Sequence, residues 1–232
     1  MSSATGLEDF TGVAAYLPAQ RRRGDAVEST TFAIREAILE GDLPGGTWLR
    51  EESIAGVLGM SRTPVREAFN RLVEEGLVER LPGSGVRVSA LTVDDVAVVY
   101  QVRGSLESLA VGIAARRGDP AVHGRLRSLH EAMVRAAEAD DAAAFHHANV
   151  AFHAAFAEIG DNNYLRRLLG TVYTAVRRIG TRTFSAERMR EILAEHELII
   201  DAVIAGDPEA ASAAAQAHAE RARAITLARL LA

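Results

Sequence analysis

Ser61, Arg62, Thr63 and Arg66 bring two hydroxyls and two guanidiniums into six residues, a set suited to phosphate oxygens and to the base edges of nucleic acid. A second set lies far downstream. Asn149 and His153 are four apart, so on a helix they share a face, and His196 and His218 follow in later segments. Each has apolar neighbours: Phe152 and Phe156 near the first pair, Leu193 and Ile200 near His196, Ala214 and Ala215 near His218. An imidazole turned into an apolar bundle needs a partner, and three that converge could share a metal ion. Spacing does not show convergence across separate helices, so a shared ion, core imidazoles with protein partners and surface imidazoles all fit. Arg103 is the third candidate, because Val99, Arg103, Leu106 and Ala110 fall four, three and four apart on one helical face. A guanidinium in an apolar stripe calls for an anion; the other reading is a rim arginine paired with Glu107 one turn later.

The first set needs a helix that presents its N-terminal end. Ser61 can cap such a helix, Pro64 is tolerated in its first turn, and Ala68, Leu72 and Glu75 continue the register. Upstream, Glu51 to Leu58 is a short helical pattern with Ile54, Ala55 and Leu58 apolar, and Gly59-Met60 makes the turn between the two. This is a helix-turn-helix. After Gly76, residues 77–81 and 86–89 read as strands around Pro82-Gly83-Ser84-Gly85, the hairpin of a winged helix, with Arg80 and Arg87 nearby. The DNA-binding set is therefore Arg50, Ser61, Arg62, Thr63, Pro64 and Arg66, with Gly83, Ser84 and Gly85 at the wing tip.

Composition bounds this reading without carrying it. The net charge is −5, and residues 21–90 hold ten Arg against eleven Asp plus Glu, so any case for DNA rests on where the arginines stand. All 26 basic residues are Arg, the side chain suited to bidentate contacts. The absence of cysteine excludes disulfides, thiolate metal sites and a thiol nucleophile. No apolar run reaches membrane-spanning length and the N-terminus lacks the order of a secretion signal, so the expected location is the cytoplasm, with no membrane partner.

The second set needs a bundle. From Thr92 onward no strand alternation occurs, and Thr92 with Asp95, Asp119-Pro120, Asp140 and Asp207-Pro208 mark helix starts. The signals predict six helices, at about 92–117, 120–138, 141–159, 162–182, 185–205 and 208–231. The fold class is mainly α, an N-terminal winged helix-turn-helix plus a C-terminal all-α helical bundle. Its expected domains are a flexible arm over 1–25 containing Arg21-Arg22-Arg23, the DNA-binding domain over 26–90, and an effector-binding and dimerisation domain over 91–232.

The helix over 27–39, the Gly41 to Leu49 stretch and Ser61 to Ala68 together resemble the GntR family of bacterial transcription regulators, over about sixty-five residues. The six helices that follow resemble the FCD domain of its FadR subfamily. In metal-binding FCD domains an Asp or Asn four before a His, a His within a Glu-His pair and a His on the last helix hold the ion. The resemblance thus implies Asn149, His153, His196 and His218 as ligands of a divalent ion, Zn or Ni in character, with a neutral ligand set. It also implies that Arg103, in Arg103-Gly104-Ser105-Leu106-Glu107, holds the carboxylate of a small effector. His123, His130, His146 and His147 are read as exposed, although His146 stands seven before His153.

The function implied is a repressor, a homodimer on a two-fold, palindromic double-stranded DNA operator, controlled by a small carboxylic acid. A different class, a metal-dependent hydrolase on the helical bundle, is the alternative. It lacks a general base, since Glu195 and Glu197 stand one residue from His196 and so point to other faces.

Overall fold

The computed structural model describes residues 10–19, 25–81, 85–159, 161–179 and 184–231. The chain forms two compact units, Met1–Leu91 and Thr92–Ala232. The fold is the expected one, a winged helix-turn-helix and an all-α bundle.

In the first unit, α1 (Thr11–Ala14) and α2 (Ala26–Leu39) lead into β1 (Trp48–Leu49), α3 (Glu51–Leu58), α4 (Arg62–Glu74), β2 (Val78–Arg80) and β3 (Val86–Val88). Gly59 ends α3 in the left-handed region at φ 63°, and the Met60 N–H returns to the Ala55 carbonyl at 3.0 Å, which fixes the sharp turn into α4. Val65, Ala68, Phe69 and Leu72 recur at helical spacing and are buried, so α4 is anchored by one face and presents the other. The strands form an antiparallel sheet in the order β1-β3-β2, with Leu49 and Arg80 both opposite Val86. At two residues, β1 is too short to show alternation, and the sequence reading had only the hairpin.

The expectation of a flexible arm over 1–25 needs correction for part of that stretch. Phe10 and Val13 are buried in the first core, and the Tyr16 hydroxyl donates to Asp42 Oδ2 at 2.7 Å. A four-residue helix shows no period, so two apolar residues three apart carried the signal alone. Arg21, Arg22 and Arg23 lie outside the described residues.

The second unit is α5 (Val93–Arg117), α6 (Pro120–Glu138), α7 (Ala142–Ile159), α8 (Asn163–Ile179), α9 (Ala186–Ala205) and α10 (Pro208–Leu231). Its helix starts follow local chemistry. Thr92 and Asp95 form a reciprocal capping box, and Asp119, Asn162, Ser185 and Asp207 each accept a first-turn N–H. One cap differs from expectation: α7 is capped by Asp141, which accepts from Ala144 N at 2.9 Å, while Asp140 sits in the left-handed region at φ 53°. The core is built on Phe145, Phe152, Phe156, Leu126, Met133 and Leu169, all fully buried. Each such side chain contributes about 1.5–3 kcal/mol by leaving water.

Two long helices set the frame of the site. Gly104 and Gly112 lie where α5 meets α10; a Cβ at Gly104 would stand 2.8 Å from Gln216 Oε1, and one at Gly112 2.6 Å from Ser212 Oγ. Between them the Ser108 and Ser212 hydroxyls donate to each other's backbone carbonyls, both at 2.9 Å. This close, pinned contact places Arg103 of α5 beside His218 of α10.

Candidate functional site

In the first unit, the sequence-picked side chains stand on one exposed helix end. Ser61 occupies the N-cap in extended conformation, exposed and without a side-chain cap bond. Ser61, Arg62, Thr63 and Arg66 are exposed, as is Arg50 just before α3, and Pro64 is half-buried. The unpaired N–H groups and dipole of the helix start add positive potential there. Arg62 Nη2 reaches Glu51 Oε2 at 3.3 Å while its side chain stays 64% exposed. An exposed pair of this kind is worth at most about 1 kcal/mol, so a phosphate can take its place. On the sheet, Gly85 has φ 113°, Arg87 is paired with Glu79 at 2.7 Å, and Arg80 donates to Asn70. Gly83 and Ser84 lie outside the described residues. The sequence reading passed over Trp48, an exposed indole at the β1 edge of the same sheet.

The second unit gathers the other set. His153 of α7, His196 of α9 and His218 of α10 are all buried, and each can place one nitrogen within 4.8 Å of the others. Asn149, one turn before His153, lines the same cavity. His196 lies flat on Phe152, with ring centroids 4.1 Å apart. Both of its nitrogens, and Asn149 Oδ1, are buried without a hydrogen-bond partner. Buried polar atoms left in this condition are costly unless something ligates them. The donor set of three imidazoles and an amide oxygen fits a divalent ion.

Two carboxylates that the sequence reading did not place stand behind these rings. Glu107 Oε1 is 3.1 Å from His153 Nδ1, and Glu195 Oε2 is 2.6 Å from His218 Nδ1. A neutral ring that donates from Nδ1 to its carboxylate keeps the Nε2 lone pair for a ligand; at His153 the Arg103 Nη2 also stands 3.0 Å from Nδ1. Glu195 does leave α9 in another direction than His196, but that direction is the groove against α10, where it also meets Arg188 and Arg221. A Glu adjacent to a metal-type His was the available signal; which neighbour it would reach depends on the packing.

Arg103 holds the Glu107 partner that the sequence offered. Its side chain is 6% exposed and paired with Glu107 at 3.0 Å, so the ion pair exists inside the bundle and not at its rim. Its Nη2 also donates toward His153 Nε2 at 2.9 Å and lies 3.4 Å from His218 Nε2. The guanidinium thus touches the lone pairs an ion would use. Burial works to raise the Glu107 carboxyl, but Arg103, with His153, overrides it and holds the group well below the usual range. Burial, then Arg103, pushes His153 down to about 4, and burial likewise lowers His196 and His218. All three rings are neutral near pH 7, the form that ligates metal. Burial, then Glu107, keeps the Tyr173 hydroxyl protonated well above its ordinary range.

A cavity of about 340 Å³ opens beside the cluster, with Arg103, Asn149, His153, Tyr173 and His218 on its wall. Among the described residues no carboxylate lines it; Glu107 and Glu195 stay behind their imidazoles. That charge pattern suits an anion and provides no general base at the wall. Of the four histidines expected on the surface, only His147 is exposed. His123 and His130 are half-buried, with His130 Nε2 3.1 Å from the Leu193 carbonyl oxygen, and His146 stacks on Phe184 and lines the cavity.

Comparison with known proteins assigns both units. Residues 27–88 match the family of bacterial regulatory proteins called gntR, and residues 98–221 match the FCD domain. The chain is 35% identical over 187 residues to the "Probable D-xylose utilization operon transcriptional repressor" of Paenarthrobacter nicotinovorans, covering 81% of this chain and 82% of that one. It is 29% identical to the gluconate operon transcriptional repressor of Bacillus subtilis (strain 168), covering 74% and 73%. Among solved structures, a GntR transcriptional regulator from Rhodococcus sp. RHA1 matches with TM-score 0.70 and 27% identity, over 87% of this chain and 97% of that one. Escherichia coli McbR/YncC shares the fold, with TM-score 0.75 and 22% identity over 88% and 98%.

Proposed function

We propose, on the premise that this chain belongs to the gntR family of bacterial regulatory proteins and carries an FCD domain, that it is a FadR-subfamily repressor whose hold on DNA is set by a small carboxylic acid bound beside a divalent ion. That the chain is a DNA-binding transcriptional regulator, and not an enzyme, follows from the family itself.

The observation that carries the proposal is the convergence of His153, His196 and His218 with Arg103 beside one anion-suited cavity. Asn149, His153, His196 and His218 would hold a Zn or Ni ion, which when bound supplies positive charge for a carboxylate. Glu107 and Glu195 orient two of the rings, and Arg103 is the cation that the acid would meet at the cavity wall. In the other unit, Arg62 and Arg66 with Ser61 and Thr63 read base edges and phosphates in the major groove, with Arg50 and the wing around Gly83 to Gly85 on the flanking backbone. One such helix reads few base pairs, so the working unit is a homodimer on a palindromic operator. Supporting this, Val98, Val102 and Leu109 make an exposed apolar stripe along α5, and Tyr164 and Leu168 are exposed on α8, surfaces a second copy would cover. Among the described residues no helix is long and apolar enough to cross a membrane. The proposed place of action is the cytoplasm, with the DNA.

Elemental analysis of the purified protein tests the ligand set. Wild type should carry close to one divalent ion per chain, and the His153→Ala/His196→Ala variant should carry almost none; equal metal in both would refute the assignment.

A further inference from the structure

The wall of the cavity changes character with distance from the imidazole cluster. α7, α8, α9 and α10 each bring aliphatic side chains to it, while α5 brings Arg103 and Tyr100. After His218, α10 offers Ala222 and Ile225; beside Asn149 and His153, α7 offers Val150 and Ala154; after Tyr173, α8 offers Val176; and before His196, α9 offers Ile192. The lining of α10 runs on to Arg229, eleven residues from His218, which spans about 16 Å at the helical rise. Arg177, Arg188, Arg229 and His146 also line this upper wall; Arg188 is paired with Glu191 and Glu195, both at 2.8 Å, and Arg229 Nη2 donates to the Ile179 carbonyl at 3.2 Å. Thr226 Oγ1 donates to Tyr100 Oη at 3.2 Å, and Ser185 Oγ accepts the Arg188 N–H at 3.2 Å as the cap of α9.

Building on the effector reading above, we propose that the acid has an apolar body, an aromatic ring or an acyl chain, and is not a polyhydroxylated sugar acid. A carboxylate at the Arg103 end leaves the remainder of the molecule against Val150, Ala154, Val176, Ile192, Ala222 and Ile225, where an apolar body gains by leaving water. A chain of hydroxyls entering the same space gives up its water for polar groups of which Thr226, Ser185, Arg188 and Arg229 already hold partners within the chain, which disfavours it.

Thermal unfolding of the full-length, zinc-loaded protein tests this, with phenylacetate and octanoate set against gluconate and tartrate. Phenylacetate or octanoate should raise the Tm by roughly 2 °C or more at saturating concentration, and Arg103→Ala should abolish the rise. Gluconate and tartrate should leave it in place. If instead gluconate or tartrate gives the larger, Arg103-dependent rise, the effector reading stands and the apolar body is wrong. If none of the four acids shifts the Tm while the zinc content is intact, the inference fails along with the effector reading beneath it. A second variant isolates the wall: Ile225→Asp, at a partly exposed position, should weaken phenylacetate or octanoate binding roughly tenfold with zinc content unchanged. Undiminished binding in that variant would overturn the role of the wall.

Discussion

The side chain of Arg62 is 64% exposed and touches Glu51 at 3.3 Å, whereas that of Arg103 is 6% exposed, holds Glu107 at 3.0 Å and has His153 and His218 against its other edge. The guanidinium is the same; its reach is not. On α4 the charge stays hydrated and exchangeable, so a polymer of phosphates can approach it from outside. Inside the bundle the charge is dehydrated and committed to its own carboxylate. Only something small enough to enter the cavity can meet it, and only by offering at least as much as the imidazoles do. Exposure therefore separates an arginine open to a large surface from one open only to a small molecule.

The comparison breaks most visibly at the exposed end. With each specific guanidinium contact worth about 1–3 kcal/mol, Arg62→Ala/Arg66→Ala should lower affinity for a duplex enriched from a random pool by roughly 30-fold to 10⁴-fold, measured by fluorescence anisotropy. Circular dichroism and the unfolding midpoint should barely move, since both side chains are exposed. Removing the partner of the buried arginine should do the reverse. Glu107→Ala leaves Arg103 with an uncompensated charge in the core and should cost about 3–5 kcal/mol of stability by urea unfolding. A loss under 1 kcal/mol would mean that water reaches the pair.

Acid should sharpen the contrast further. The folded bundle keeps His153, His196 and His218 neutral, with His153 down at about 4, while an unfolded chain protonates its imidazoles below about 6.5. The unfolded state then binds more protons, so this contribution to stability is present above pH about 6.5 and is lost as pH falls through about 4. For metal-free protein the unfolding free energy from urea titration should be lower at pH 5 than at pH 7, by up to about 1.4 kcal/mol per pH unit for each ring, and the midpoint should fall with it. A midpoint that is equal or higher at pH 5 would show that the rings are not held neutral.

Much of this architecture was legible because helix starts are local events. Thr92 with Asp95, Asp119-Pro120 and Asp207-Pro208 announce their helices within four residues, and the bundle helices begin within a residue of the expected positions. The exceptions were local too: α1 and β1 are too short for any period, and the choice between Asp140 and Asp141 as a cap turns on which of them enters the left-handed region. Contacts between helices were a different matter. That Glu195 reaches behind His218, and that Glu107 is fully buried beneath Arg103 and His153, depends on how α5, α7, α9 and α10 pack. One chain's spacing cannot report that packing. The half-buried His123, His130 and His146 were misplaced on the surface for the same reason.

Release of bound duplex by acid, in wild type and in Arg103→Ala, tests the central claim most directly. With zinc-loaded protein on a fluorescent operator duplex, the acid that raises the Tm should weaken wild-type binding by about 5- to 150-fold. Arg103→Ala, which loses stability by leaving the Glu107 charge unpaired and is therefore assayed well below its unfolding midpoint, should bind the duplex almost as tightly as wild type and hold it when the acid is added. An intact acid response in that variant would contradict the account, and so would a loss of duplex affinity as large as that of the Arg62→Ala/Arg66→Ala protein.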